Sequence, residues 1–186
     1  MEIQKKTTQF ICIGVMKHLF VRCFIFSLFC FLFLNSTVIL GQEITTYYLI
    51  RHAEKEPVAN GNKNPHLSKK GKLRAEKWKK VFQEVSLDNI YSTDFYRTQE
   101  TAAPLAEEKN ITVATYDPSD LFNSSFEEKN KGKVVLVVGH SNTTPELANK
   151  IIGKQHYSQI DESTFGKLYI IHIQANAISH QLLNIE

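Results

Sequence analysis

The sequence predicts an α/β protein: a three-layer α/β/α sandwich with a mostly parallel central sheet and an antiparallel hairpin at one edge. Segments with strand composition alternate with segments of helical periodicity, an order that favours a parallel sheet covered on both faces. The run Val134–Val138 (VVLVV) is apolar at every position, as in a strand buried on both of its faces. At the end of the chain, two β-rich segments follow each other without a helix between them, which indicates the hairpin.

The first predicted elements are a strand, a loop and a helix. Ile44–Ile50 (ITTYYLI) is β-branched and aromatic, which is typical of a buried strand. Residues 53–67 are polar and contain proline, glycine and asparagine, so we expect a loop. Ser68 is a candidate N-cap for a helix to about Val85, because apolar residues recur after it at helical spacing.

The middle of the chain repeats this alternation. Asn89–Ser92 is predicted to be a short strand, Asp94–Lys109 a helix and Ile111–Tyr116 a third strand. Residues 117–132 are polar and are expected to be irregular.

The last predicted elements follow the apolar run. Thr144 is a candidate cap, with Pro145 at the first position of a helix to Ile152. Phe165–Gln174 and Ile178–Ile185 are predicted to form the edge hairpin.

The chain begins with a segment that has the composition of a targeting signal. From Cys23 to Gln42 there is no charged residue, and Lys17 and Arg22 precede this apolar run. A basic region, a short apolar region, and small or polar residues after it are typical of a secretory signal peptide, with cleavage expected after Gly41.

We therefore divide the chain into an N-terminal segment, 1–41, and a single domain, 42–186. Residues 23–41 are close to the length that crosses a bilayer, so an N-terminal membrane anchor is the alternative to a cleaved signal. Met16 starts a more typical signal peptide than Met1 does, which leaves the true start open. Both alternatives place the domain outside the cytoplasm, either periplasmic or secreted.

The charge and cysteine distributions exclude several classes for the domain. Of 22 basic and 19 acidic residues, four basic and one acidic residue lie in 1–41, so the domain is balanced at 18 of each. This balance does not favour nucleic-acid binding. All three cysteines also lie in 1–41, which excludes a disulfide scaffold, a cysteine–zinc site and a cysteine nucleophile within the domain.

Three predicted strands end in polar residues of compatible chemistry. Arg51 and His52 follow the first strand, Arg97 lies shortly after the second, and His140 follows the apolar run. Ligands of such sheets bind beyond the carboxyl ends of the strands, so we expect these side chains to converge. Guanidinium groups bind phosphate oxygens through paired hydrogen bonds, and a neutral imidazole is a nucleophile toward phosphorus. The pattern therefore indicates phosphoryl transfer.

Four segments resemble the histidine phosphatase superfamily, which has the phosphoglycerate-mutase-like fold, and they occur in the family's order. They are YYLIRHAEK at 47–55, LSKKGKLRAEKW at 67–78, IYSTDFYRTQETAAPLAE at 90–107 and VVLVVGHSNTTPEL at 134–147.

The resemblance implies roles for five residues. His52 would be the nucleophile that forms a phosphohistidine, and Arg51 and Arg97 would bind the phosphate. His140 would complete the pocket and stabilise charge on the phosphoryl group as an imidazolium donor. Asn142 would orient the substrate or the pocket. Such a site uses neither a metal ion nor an organic cofactor.

The sequence departs from the family pattern in two places. Ala53 stands where most members have glycine after the first histidine, so the backbone there must be right-handed or extended. The general acid is not evident, because Ser141 follows the second histidine, where phytase-like members have aspartate.

A general acid needs a carboxyl group with a raised pKa within reach of the leaving group. Asp117 and Asp120 are candidates because they follow a predicted strand, and Glu54 and Glu56 remain open.

The resemblance implies a small, uncapped, metal-independent phosphatase that hydrolyses a phosphomonoester, or a phosphoramidate such as phosphohistidine. The substrate would be a small molecule, a protein or an envelope glycan or lipid. One alternative is a phosphoryl transferase of the mutase type. The other is a non-catalytic envelope protein that binds phosphate or a partner, which the missing acid would favour.

Overall fold

The computed structural model describes Arg22 and residues 43–58, 61–120 and 122–186. The predicted signal or anchor and the question of Met16 lie outside the described residues. No helix in the described part of the chain is long and apolar enough to span a membrane. The elements are β1 (Ile44–Arg51), α1 (Lys69–Val81), β2 (Asn89–Ser92), α2 (Tyr96–Lys109), β3 (Val113–Thr115), α3 (Ser124–Asn130), β4 (Val134–Gly139), α4 (Thr143–Ile152), β5 (Lys167–Gln174) and β6 (Ala177–Asn184).

One six-stranded sheet has the order β3-β2-β4-β1-β5-β6. Strands β3, β2, β4 and β1 are parallel, whereas β5 is antiparallel to β1 and β6 is antiparallel to β5. Arg51 pairs with Gly139, and Ser92 pairs with Val138, so β1, β2 and β4 end at the same edge of the sheet. The predicted mostly parallel sheet with an antiparallel edge hairpin is confirmed.

Two hydrophobic clusters cover the two faces of the sheet. Trp78 and Phe82 pack with Leu105 of α2 against β1, β2 and β4 on one face. Leu147 and Ile151 of α4 pack against the other face of these strands, together with residues of β5. Because each face buries its own set of helices, the molecule has the three predicted layers.

The stretch 117–132 was wrongly expected to be irregular, because it contains α3. The Asn123 side chain caps this helix by accepting a hydrogen bond from the Phe126 backbone N–H at 2.8 Å. Phe122 and Phe126 pack on Tyr47, with ring centroids 6.0 and 6.1 Å from the tyrosine ring. The helix is stabilised by this packing against the sheet, which a short polar segment does not reveal.

Three predicted helix boundaries, one C-terminal and two N-terminal, differ from those in the structure. The first helix ends at Val81 instead of Val85, since Phe82 and Val85 form a turn. The second begins at Tyr96 instead of Asp94, because the Phe95 backbone is extended. The last begins at Thr143, one residue before the predicted cap.

Helix α1 packs tightly against the segment that follows His52. Ser68 caps the helix as predicted, accepting a hydrogen bond from the Gly71 N–H at 3.1 Å. A Cβ atom at Gly71 would lie 2.0 Å from the Glu54 carbonyl oxygen, so only glycine permits this approach. The contact fixes the backbone on the carboxyl side of the predicted nucleophile.

Candidate active site

The structure brings both predicted histidines together at the carboxyl edge of the sheet. His52 follows β1 and His140 follows β4, and their ring centroids lie 5.5 Å apart. Arg97 reaches them from the first turn of α2, with its Nη2 3.4 Å from the Nδ1 of His140. Arg51 precedes His52 at the end of β1. The predicted convergence of the strand ends is therefore observed.

His52 is held with one ring nitrogen available. Its Nδ1 lies 2.7 Å from the Ala53 carbonyl oxygen, which can only accept, so Nδ1 carries the proton and Nε2 carries the lone pair. Burial, and then the charges of Arg51 and Arg97, lower the pKa of His52 to about 3, although the bond to Ala53 opposes this. The imidazole is therefore neutral and nucleophilic at neutral pH.

Ala53 occupies the position of the family's glycine without a left-handed backbone. Among the described non-glycine residues, positive φ angles occur at Asn110, Phe122 and Ala175. Ala53 is fully buried, and its N–H donates to the Thr101 hydroxyl at 2.9 Å. The expected right-handed or extended conformation is confirmed.

His140 is oriented by a relay of hydroxyl groups. The Arg97 guanidinium only donates, so the Nδ1 of His140 accepts and its Nε2 donates to the Thr93 hydroxyl at 2.9 Å. The Thr93 hydroxyl lies 2.9 Å from the Thr98 hydroxyl, which donates to the Phe95 carbonyl at 2.8 Å. The threonines thus fix the ring and its tautomer.

The expected imidazolium form of His140 is not the form favoured here. Burial, and then the charges of Arg97, Arg51 and Lys55, lower the pKa of His140 to about 4, so the ring is neutral at neutral pH. A phosphate dianion beside the ring would favour the protonated form, since an opposite charge nearby stabilises the cation.

The Arg51 guanidinium is buried and bound by the loop between α4 and β5. Its Nη1 donates to the carbonyl oxygens of Asp161, Glu162 and Thr164 at 2.9, 3.1 and 2.9 Å. Its Nη2 donates to the Glu162 Oε2 at 2.7 Å. Its Cζ lies 4.3 Å from the centroid of the Phe165 ring. Its Nε is buried and has no hydrogen-bond partner among the described residues.

Arg97 has an environment similar to that of Arg51. Its Cζ lies 4.3 Å from the centroid of the Phe95 ring, which also contacts His140 edge to face at 5.1 Å. Its Nη1 is buried, and nothing in the described part of the chain accepts a hydrogen bond from it. Each arginine therefore lies on a phenylalanine ring and has one buried N–H without a protein acceptor in the described residues.

Asn142 lies at the start of α4, two residues after His140. It is the N-cap residue, yet its side chain makes no capping hydrogen bond and the residue is exposed. Its role in substrate orientation stays a prediction.

Two of the four candidate acids have pKa values that argue against the role. The Ser119 hydroxyl and N–H lower the pKa of Asp117. Burial would raise the pKa of Glu54, but the bonds from Arg74 outweigh it and the pKa lies below its usual value. Both carboxyl groups are therefore ionised at neutral pH, whereas a general acid must hold a proton.

The other two candidates lie away from the histidines or in solvent. Asp120 accepts a hydrogen bond from the Asn123 side chain at 2.6 Å. Together with Asp117 it lines a cavity of about 240 Å³ whose walls include Tyr91 and Phe122 but neither histidine. Glu56 is exposed. The structure therefore argues against Asp117, Asp120 and Glu54 as proton donors at the site, and Glu56 stays a candidate.

Five residues that contact or orient the predicted set were not predicted: Glu162, Phe165, Phe95, Thr93 and Thr98. Glu162 binds Arg51, and its Oε1 accepts from the Ser141 hydroxyl at 2.5 Å. The two threonines lie within the segment that resembles the family, so a closer reading could have found them. Glu162 and Phe165 follow α4 in a segment without a recognisable motif.

The described residues contain no group of three histidine, cysteine, aspartate or glutamate side chains that could hold a metal ion.

The family model for the histidine phosphatase superfamily (branch 1) matches residues 47–118. The match includes Arg51, His52 and Arg97, three of the residues that meet at the sheet edge. Over residues 47–118 the chain is therefore similar to the histidine phosphatase superfamily. The resemblance stated from the sequence motifs is thus confirmed.

A curated relative matches part of the chain. Phosphoserine phosphatase 1 of Hydrogenobacter thermophilus is 41% identical over 73 residues, which are 37% of this chain and 35% of the relative. The match therefore spans about a third of the relative's length.

Solved structures share the fold over the whole domain. The α-ribazole phosphatase of Shigella flexneri is 17% identical, with a TM-score of 0.58, and the alignment covers 75% of this chain and 96% of that one. The protein histidine phosphatase SixA, solved with tungstate, is 12% identical, with a TM-score of 0.60 and the same coverage of 75% and 96%. At these identities the likeness concerns the fold alone.

Proposed function

We propose that this protein is a phosphatase that hydrolyses a phosphomonoester or a phosphoramidate through a phosphohistidine on His52. The observation that carries the proposal is a pair of buried N–H groups, Arg51 Nε and Arg97 Nη1, that have no acceptor among the described residues. Buried donors are costly when unsatisfied, and phosphate oxygens would satisfy both at once. Arg51 directly precedes His52, Arg97 contacts His140, and the two neutral rings lie 5.5 Å apart, so we expect an anion bound by both arginines to lie within reach of the Nε2 of His52.

The reaction has two steps. The Nε2 lone pair of His52 attacks phosphorus, the bond from phosphorus to the leaving oxygen or nitrogen breaks, and the leaving group takes the electron pair and a proton from solvent. Water then attacks the phosphohistidine, the bond between Nε2 and phosphorus breaks, and one proton of the water is released. Inorganic phosphate leaves and His52 returns to its neutral form. The arginines stabilise charge on the equatorial oxygens throughout.

The substrate class follows from the chemistry and from the relatives. The curated relative is named a phosphoserine phosphatase and the solved SixA a protein histidine phosphatase, which supports substrates with a P–O or a P–N bond. We propose a phosphate carried by a small molecule, a protein, or an envelope glycan or lipid.

We also propose that the domain acts outside the cytoplasm. Support comes from the sequence, in which a basic region precedes the uncharged run that starts at Cys23. Cell fractionation tests this proposal, which is wrong if the full-length protein is found in the cytosol. A shortened chain in the periplasm or medium favours a cleaved signal, whereas a full-length chain in membranes favours the anchor.

Hydrolysis of p-nitrophenyl phosphate tests the activity. We expect turnover that EDTA does not reduce, and a loss of at least about a thousandfold in His52→Ala, as when a nucleophile is removed. The matched control is His156→Ala, since His156 is exposed and lies outside the site. Acid quenching would release the phosphoryl group, and base quenching would retain it on His52.

Other results would favour the alternatives. Tight phosphate binding by a folded protein without turnover would favour a binding protein. Return of the phosphoryl group to a second alcohol, with little free phosphate, would favour a mutase.

A further inference from the structure

Glu162 connects two parts of the site that approach it from different strands. Its Oε2 accepts from Arg51 Nη2 at 2.7 Å, and its Oε1 accepts from the Ser141 hydroxyl at 2.5 Å. Ser141 directly follows His140, and Arg51 directly precedes His52. The carboxylate therefore lies between the two histidine-bearing strand ends, where the proposed function requires an anion.

The edge of Arg51 that faces Glu162 is the edge that guanidinium groups use to bind oxyanions. The Nε–H and Nη2–H groups are parallel and bind two oxygens of a carboxylate or phosphate side by side. In Arg51, Nη2 binds Glu162, whereas Nε has no partner among the described residues. A bidentate phosphate on this edge must take Nη2 from Glu162.

The contacts of Glu162 permit this exchange. Its side chain is 66% exposed, whereas that of Arg51 is 2% exposed, so the carboxylate can move toward solvent while the guanidinium stays buried. Arg51 stays in place without the carboxylate, because its Nη1 donates to three backbone carbonyl oxygens. Lys55, whose charge also lowers the pKa of Glu162, is a nearby cationic partner for the displaced carboxylate.

We propose that Glu162 is an internal competitor for the phosphate site, which the phosphoryl group of the substrate displaces from Arg51 and Ser141. This inference rests on the proposed function and concerns how that same site selects and releases anions. A carboxylate has one negative charge and a phosphate monoester has up to two, so the dianion displaces Glu162 more effectively than a singly charged anion does. Its return to Arg51 after hydrolysis also speeds the release of inorganic phosphate.

Glu162→Gln and Glu162→Ala test the competition, with inorganic phosphate as the probe. Gln keeps the shape and loses the charge, whereas Ala removes the group. We expect phosphate to inhibit p-nitrophenyl phosphate hydrolysis about tenfold more strongly in both variants, because charge-assisted competition at Arg51 is removed. Glu76→Gln is the matched control, since Glu76 is half exposed and pairs with Lys79 on α1. We expect this control to leave inhibition unchanged.

Two results would overturn the proposal. Weaker phosphate inhibition in both variants would show that Glu162 positions Arg51 for phosphate. Unchanged phosphate inhibition, with a large loss of phosphoserine hydrolysis and a small loss of p-nitrophenyl phosphate hydrolysis, would show that Glu162 is the general acid.

Calorimetric titration of the wild-type protein and both variants with phosphate separates this inference from the proposed function. If no protein has turnover, the proposed function fails, while a tighter dissociation constant in the Glu162 variants still supports displacement. If turnover is present and the dissociation constants are equal, the displacement fails alone.

Discussion

Two arginine–glutamate pairs include residues close to His52 in the sequence: Arg51 comes before it, and Glu54 comes after it. The pairs differ in how many N–H donors on the Nε–Nη2 edge of the arginine are occupied. Arg74 donates through both Nε and Nη2, at 2.9 Å each, to the two oxygens of Glu54. Arg51 donates through Nη2 to Glu162, and its Nε has no partner among the described residues. The first pair satisfies its own edge completely, whereas the second retains a donor for another anion.

The two arginine–glutamate pairs also differ in how deeply their glutamates are buried. In the Arg74–Glu54 pair both side chains are mostly buried, at 18% and 10% exposure, so neither can leave easily. In the Arg51–Glu162 pair the arginine is buried and the glutamate is in solvent. We call Arg74–Glu54 the closed pair and Arg51–Glu162 the open pair. The closed pair fixes the backbone after His52 against α1, and the open pair presents a charge to substrate. The chemistry of the residues is the same, and their surroundings decide the role.

The largest expected effect separates the two arginines by activity. We expect Arg51→Lys to lower kcat/KM for p-nitrophenyl phosphate by about 10² to 10³, because a lysine cannot bind two oxygens side by side. We expect Arg74→Lys to change kcat/KM less than about threefold in the folded protein, since its edge faces Glu54 and not substrate. Circular dichroism confirms folding of each variant. Equal losses in the two variants would remove the distinction.

The next effect separates the two glutamates by stability. We expect Glu54→Gln to lower the free energy of unfolding by about 2 kcal/mol, because it leaves the mostly buried Arg74 without its counter-charge. We expect Glu162→Gln to lower it less, by about 1 kcal/mol, because Glu162 is 66% exposed and the buried Arg51 keeps its three backbone acceptors. Urea unfolding measures both values. A larger loss in Glu162→Gln would mean that the open pair is structural after all.

The smallest effect, per pH unit, is the change in the free energy of unfolding with pH. It differs between His52 and the Arg74–Glu54 pair. The pKa of His52 is about 3 in the fold against an ordinary 6.5, so the unfolded chain binds protons first as the pH falls. Stability from this histidine is therefore complete above pH 6.5 and is lost below it, by up to about 1.4 kcal/mol per pH unit. The pKa of Glu54 is lowered from 4.5, so stability from its pair is lost only at lower pH.

Urea unfolding of variants at several pH values measures this separation. We expect His52→Gln to reduce the decline between pH 6.5 and 4.5 by about half, because His140, whose pKa is about 4, contributes the rest. We expect Glu54→Gln to affect the decline below 4.5. A flat wild-type profile from pH 7 to 4.5 would contradict the pKa of His52.

The elements predicted correctly are those with a strong local signal. The all-apolar run at Val134–Val138 became the inner strand β4, and the Ser68 cap begins α1 where expected. The helix α3 was missed because it is stabilised by the packing of Phe122 and Phe126 on Tyr47, and this contact is not evident from the local sequence. Short helices depend on such tertiary packing more than on their own sequence.

The residues of the candidate site likewise fall into those that sequence motifs predict and those that they do not. Arg51, His52, Arg97 and His140 could be named from the sequence because strand-end motifs state both their chemistry and their place in the sheet. Glu162 could not, because it reaches Arg51 across 111 residues of chain from a loop without a motif. The proton on Nδ1 of His52 likewise depends on the Ala53 carbonyl oxygen, and this backbone contact cannot be predicted from residue types.

The sequence by itself determined the fold class, the family resemblance, and the two histidines and two arginines of the candidate site, because periodicity and strand-end motifs are local properties of the chain. The tertiary structure alone decided which arginine edge is closed and which is open, and which glutamate is buried. It also decided that both histidines are neutral at neutral pH. These are matters of distance and burial between residues far apart in the chain, and the desolvation and electric fields that set them exist only once the chain has folded.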